Sequence, residues 1–198
     1  MDRLTTIKAA ACTAAAALTL GTIGALGAIL TVMAEDPGVR VPVIMYHAVM
    51  DDASRLGKYV ISPEELESDF KWLSENGYTA VLSEDLINYT ENGAALPEKP
   101  ILLTFDDGYY NNYLYAYPTA KRYGMKFVLS PIGKYADLYT ETPDKSPYYA
   151  HCTWDMLREM QSSGVVEIAN HTYDLHSSAQ SSFPGNLWKT TRSFSPKT

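Results

Sequence analysis

From residue 39 onward, short apolar and β-branched runs alternate with stretches in which apolar positions recur at helical spacing. Val39 to Tyr46 reads as a first strand, with Pro42 near its start, where a missing donor is tolerated. Ser62-Pro63-Glu64-Glu65 predicts a helix start: a capping hydroxyl, proline at the first position, and Glu65 three residues after the cap. Leu66, Phe70 and Leu73 then share a helical face until Gly77 stops the run. Tyr78 to Leu82 reads as a second strand, and Ser83-Glu84 opens a second helix that ends before Gly93. Ile101 to Phe105, between Pro100 and Asp106-Asp107-Gly108, has the continuous apolar character of a third strand buried on both faces.

Asn111 to Tyr123 predicts a helix that bends or restarts at Pro118, and Lys126 to Ser130 a fourth strand. The stretch from Gly133 to Ala150, rich in Tyr, Pro, Asp and Thr, reads as a long irregular loop of the kind that often forms binding surface. Thr153 caps a helix from Trp154 to about Ser162, and Val165 to Ala169 is a fifth strand with Asn170-His171 at its carboxyl end. Such alternation implies right-handed βαβ units, hence an α/β fold built on a parallel sheet or barrel. Residues 177–198 show no periodicity and are heavy in Ser, Thr, Lys and Pro, so little regular structure is expected there.

The amino-terminal segment is of another kind. Arg3 and Lys8 precede a stretch from Ala9 to Ala34 without a single charge, long enough to cross a bilayer. Positive charge before it and Glu35-Asp36 after it orient the remainder to the outside. Residues 1–34 are therefore expected to be a signal anchor, or a signal peptide cleaved after Val32-Met33-Ala34, with 35–38 a short linker. The expected location is extracytoplasmic, membrane-anchored or else secreted.

A net charge of −7 lacks the basic stripe that a nucleic-acid surface needs. Cys12 lies in the apolar segment, so Cys152 is left as one thiol with no internal disulfide partner.

Candidate chemistry sits at the carboxyl ends of strands three and five, which a parallel α/β fold brings to one rim. Adjacent Asp106 and Asp107 repel each other, and a bound cation is a natural reason to keep them together; the plain alternative is a solvated turn. On a helix, His171 and His176 would point about 140° apart, so a shared metal requires a turn between them. Two imidazoles and one carboxylate leave open positions for water and substrate, the arrangement of a catalytic metal site. His47 belongs to the same rim and could line the site or act as a substitute acid. Tyr109, Tyr110, Tyr148, Tyr149 and Trp154 are aromatic candidates for sugar stacking, Tyr109 lying next to the acidic pair. His151 and Cys152 suggest no role.

Thr104-Phe105-Asp106-Asp107-Gly108 and His171-Thr172-x-x-x-His176 resemble the first two motifs of the NodB-homology polysaccharide deacetylases. Pro42-Val43-Ile44-Met45-Tyr46-His47 resembles the first strand of the branch that includes extracellular poly-N-acetylglucosamine deacetylases. The resemblance spans about residues 39 to 176. It implies a deformed (β/α) barrel, of which about five of seven strands are present here, and hydrolysis of N-acetyl groups on a sugar polymer such as peptidoglycan, a chitin-like chain or poly-N-acetylglucosamine. It further implies that Asp107, His171 and His176 bind a divalent metal, usually zinc, with Asp106 as general base. The family's later motifs, including a Leu-x-His that supplies the general acid, have no match after His176. A truncated chain with weak turnover, or a carbohydrate- or metal-binding remnant without turnover, is the expectation that departure raises.

Overall fold

The computed structural model describes residues 38–176. The expected anchor over 1–34, most of the linker and the 177–198 tail lie outside the described residues. Among those described, no helix is long and apolar enough to cross a membrane.

The chain alternates as its pattern predicts. Strand β1 (Val43–Tyr46) is followed by two short strands, β2 (Ala48–Val49) and β3 (Val60–Ile61), which pair with each other in parallel. Helix α1 (Pro63–Glu75) starts where the sequence says it should, the Ser62 hydroxyl accepting the Glu65 N–H at 3.1 Å. Strand β4 (Thr79–Val81), helix α2 (Ser83–Asn92) and strand β5 (Pro100–Asp107) come next. Pro118 lacks the donor that a continuous helix needs. Residues Asn112–Ala116 accordingly form one π-helical turn, and α3 (Tyr117–Tyr123) restarts with proline in its first turn. Strand β6 (Phe127–Pro131), helices α4 (Gly133–Glu141) and α5 (Trp154–Ser162), and strand β7 (Val166–Ile168) complete the described chain.

Helix α4 corrects the expectation of an irregular stretch from Gly133 onward. No capping side chain announces it: Ile132 stands at its N-cap. Its first donors are instead satisfied from a distant segment, Gly133 N–H by the Thr172 carbonyl at 2.9 Å and Lys134 N–H by the Tyr173 carbonyl at 3.0 Å. A helix whose cap is supplied by tertiary structure leaves no local signature.

Every pairing in the main sheet is parallel, and β5 is its centre. β1 takes one edge of β5, while β4 and β6 share the other at different heights, since Leu102 pairs with both β1 and β4 and Thr104 with both β1 and β6. β7 extends the sheet beyond β6. Among the described residues no pairing closes this sheet on itself. The two faces of β5 are unequal, contrary to the expected burial on both: Ile101, Leu103 and Phe105 are fully buried, whereas Leu102, Thr104 and Asp106 are half-buried. Phe105 stacks on Tyr46 at 4.9 Å and meets Phe127 at 4.7 Å, joining β1, β5 and β6 through one aromatic cluster. Deleting such a ring costs about 3–5 kcal/mol. On β1, Val43 and Met45 remain exposed. The parallel sheet thus delivers the carboxyl ends of β1, β5, β6 and β7 to one rim, where the chemistry-bearing residues lie.

Candidate metal centre

At the end of β5 the backbone turns sharply. Gly108 N–H bonds back to the Asp106 carbonyl at 2.9 Å across Asp107, whose φ is 70°. An i→i+2 bond around a residue of positive φ is the pattern of a γ-turn and costs about 1–3 kcal/mol for a residue with a side chain. Neighbouring bonds hold it: Ile132 N–H to the Asp107 carbonyl at 3.2 Å and Cys152 N–H to the Gly108 carbonyl at 2.8 Å. The turn separates the two carboxylates, so that Asp106 approaches His47 and Asp107 approaches the two histidines.

Asp107 is only 4% exposed, and its Oδ1 has no hydrogen-bond partner. His176 Nε2 lies 3.4 Å from that oxygen and His171 Nε2 lies 3.7 Å from it. The two imidazole centroids are 5.0 Å apart, and all three donor atoms fall within 4.8 Å of one another. Donors around one tetrahedral ion with bonds of about 2.0–2.1 Å stand about 3.3 Å apart, close to the two Asp107–histidine distances, so a single divalent cation suits these residues once the imidazoles draw together. A buried carboxylate oxygen with nothing to bind is costly, and a cation there would supply its missing partner.

The turn that the histidine spacing demands is present. His171 follows β7, its N–H bonding the Pro131 carbonyl at 3.2 Å, and the Thr172 hydroxyl accepts the Leu175 N–H at 3.0 Å. This closes the loop so that His176 returns to His171. On the opposite side, His47 Nε2 is 3.9 Å from Asp106 Oδ2. Buried Asn112 fixes the His47 backbone by donating to its carbonyl at 2.7 Å.

Tyr109 is half-buried beside the acidic pair. Burial, followed by the Asp107 charge and its hydrogen bond, raises the phenol above its ordinary range. Its ring packs against His151 at 4.6 Å. His151, for which the sequence suggests no role, is buried between Tyr109, Tyr135 and Tyr139, with neither ring nitrogen well hydrogen-bonded within the chain. Burial pushes it down to about 4, against the opposing pull of the Asp107 charge and the Tyr149 backbone, so it is a neutral ring at pH 7. Cys152 is likewise buried, its thiol donating to the Tyr109 carbonyl at 3.3 Å, and burial pushes it up to about 12. The 150–152 segment thus backs the turn after β5, a role for which sequence alone gives no signal.

The remaining aromatic candidates divide. Tyr110 is buried packing, and the Trp154 indole bonds Asp137 at 2.8 Å. Tyr148 and Tyr149 are exposed, Tyr149 donating to Asp144 at 2.7 Å.

Residues 93–193 match the family model described as polysaccharide deacetylase. Over 151 residues the chain is 32% identical to the poly-beta-1,6-N-acetyl-D-glucosamine N-deacetylase of Escherichia coli K12, covering 73% of this chain and 22% of that protein. A de-N-acetylase from Aggregatibacter actinomycetemcomitans superposes with a TM-score of 0.60 at 37% identity, over 69% of this chain and 56% of that one. IcaB from Ammonifex degensii gives 0.57 at 29% identity, over 70% and 55% respectively. The chain therefore spans about a fifth of the length of the E. coli relative and just over half of these two structures.

Proposed function

The chain belongs to the polysaccharide deacetylase family, and from that premise we propose that it removes N-acetyl groups from a cell-wall or extracellular N-acetylhexosamine polymer by metal-dependent hydrolysis. The observation that carries the reading is a spare acid, Asp106, adjoining a three-donor cluster whose buried oxygen lacks a partner.

Asp107, His171 and His176 would hold the ion, and two imidazoles with one carboxylate suit zinc. When bound, such an ion supplies Lewis acidity that polarises the acetyl carbonyl and lowers the pKa of water. Asp106 takes the proton from the attacking water as oxygen adds to the carbonyl carbon. The C–N bond then breaks, acetate leaves, and the sugar nitrogen needs a proton. His47, beside Asp106 on the same rim, is placed to deliver it. Tyr109, half-buried beside the Asp107 charge, keeps its proton at neutral pH.

The activity named for the E. coli relative supports poly-N-acetylglucosamine as the polymer class, with peptidoglycan and chitin-like chains as further candidates. The open parallel sheet belongs, in this reading, to a deformed (β/α) barrel. The charge-free 9–34 stretch, with lysine and arginine before it and two acids after it, supports an extracytoplasmic domain held at the membrane. A binding-only remnant is the competing reading, and retention of Asp106 and His47 speaks against it, because binding alone needs neither a base nor an acid.

The test is acetate release from N-acetylglucosamine oligomers, titrated with zinc. In Asp106→Asn, loss of turnover by about 10²–10⁴-fold at unchanged metal content supports the proposal. Oligomer binding without acetate release by the unmodified chain would overturn it.

A further inference from the structure

The 171–176 loop carries two of the three candidate metal donors, and both histidines are exposed. Beyond the His171 N–H bond to the Pro131 carbonyl, the loop is held by α4. Besides the two backbone bonds to the Thr172 and Tyr173 carbonyls, Lys134 Nζ pairs with Asp174 Oδ2 at 3.0 Å. Asp137, one turn along α4, uses both carboxylate oxygens: Oδ1 accepts the Trp154 indole N–H at 2.8 Å and Oδ2 accepts the Tyr173 hydroxyl at 3.1 Å. Trp154 is in turn anchored by its own N–H to the Thr140 hydroxyl at 2.9 Å, so Asp137 ties the loop to α5 as well as α4. Gly133 completes the clamp, since a Cβ there would stand 2.9 Å from the Tyr173 ring. Tyr173 is itself 63% exposed, and burial alone does not place it.

We propose that Asp137 is a positioning residue of the metal centre: by holding Tyr173 against α4 and Trp154, it sets the spacing of His171 and His176. The inference rests on the metal-site reading above and adds a residue two contacts away from the ion, one that neither the acidic pair nor the histidine motif contains. Its logic is that of outer-shell partners generally. Donors on an exposed loop lose conformational freedom when they converge on an ion, and a loop already fixed loses less.

Cobalt(II) alone, titrated into the full chain and followed by its visible absorption, tests this. Tyr173→Phe removes one hydroxyl and leaves the Asp137–Trp154 bond intact; Asp137→Ala removes both bonds. Asp137→Asn keeps an acceptor for the indole and an amide that donates to the phenol oxygen. The expected result is cobalt affinity weakened about 10–100-fold in Asp137→Ala and less in Tyr173→Phe, with a changed spectrum, and near-complete rescue in Asp137→Asn. The metal-free melting temperature of Tyr173→Phe is expected to be unchanged. Affinity and spectrum equal to the unmodified chain in both Tyr173→Phe and Asp137→Ala would overturn the inference alone. Weakening seen only in parallel with loss of metal-free stability would also overturn it, as a structural role. Failure of the unmodified chain to bind cobalt would overturn the metal reading and this inference with it.

Discussion

Gly108 lies so close to Pro131 that a Cβ added to it would stand 2.6 Å from the proline Cβ and 2.8 Å from its Cα. The contact joins the turn after β5 to the end of β6, the two segments that present Asp107 and lead into α4. Gly108 also has a φ of 73°. Gly108→Ala therefore meets two penalties, about 1–2 kcal/mol for the left-handed backbone and about 1–3 kcal/mol for overpacking against a backbone that has little room to move. Urea denaturation is expected to show a loss of at least about 2 kcal/mol. Wild-type stability in this variant would mean that the turn is looser than the structure has it.

His47 and the metal donors are expected to separate experimentally. His47→Gln removes the proposed proton donor beside Asp106 while leaving Asp107, His171 and His176 untouched. Acetate release should fall by about 10²-fold or more, with zinc content unchanged. A parallel loss of zinc would place His47 among the ligands instead.

Metal occupancy should be legible in stability. At a free ion concentration a hundredfold above Kd, binding to the folded chain alone adds about 2.7 kcal/mol, or roughly 5–10 °C in melting temperature for a domain of this size. Asp107→Asn tolerates the same backbone but offers a weaker ligand, and its melting temperature should not respond to zinc or to a chelator.

His151 predicts an acid sensitivity of the metal-free chain. Its imidazole titrates near 6.5 when unfolded and about 4 when folded, so between those values the unfolded chain holds the extra proton. Stability is full above pH 6.5 and falls as pH drops toward 4, by at most about 3 kcal/mol from this group. His151→Phe fits the same tyrosine stack and has no charge to gain. The difference between the two proteins in urea midpoints, small at pH 7, should grow in favour of the variant as pH falls to 4. A constant difference across that range would show that the ring is accessible to protons.

How much of this was legible in the sequence depends on where each signal is stored. Ser62-Pro63-Glu64-Glu65 marked α1 because its cap is local, the Ser62 hydroxyl reaching only to Glu65. The acidic pair and the two histidines were legible because spacing and residue type survive without coordinates. Helix α4 was not, since its first donors are satisfied by the Thr172 and Tyr173 carbonyls, some forty residues downstream. The same holds for His151, which becomes a neutral buried ring only when Tyr109, Tyr135 and Tyr139 close on it. Asp137 looks like any exposed helical acid until Trp154 and Tyr173 arrive at its two oxygens.

The most direct measurement of the metal centre is X-ray absorption on the zinc-loaded chain, with Asp107→Ala for comparison. One zinc per chain is expected, with two imidazole nitrogens at about 2.0–2.1 Å, oxygen in the remaining positions, and loss of the ion in the variant. A zinc shell without imidazole, or one unaltered by removal of the Asp107 carboxylate, would contradict convergence of these three side chains on one ion.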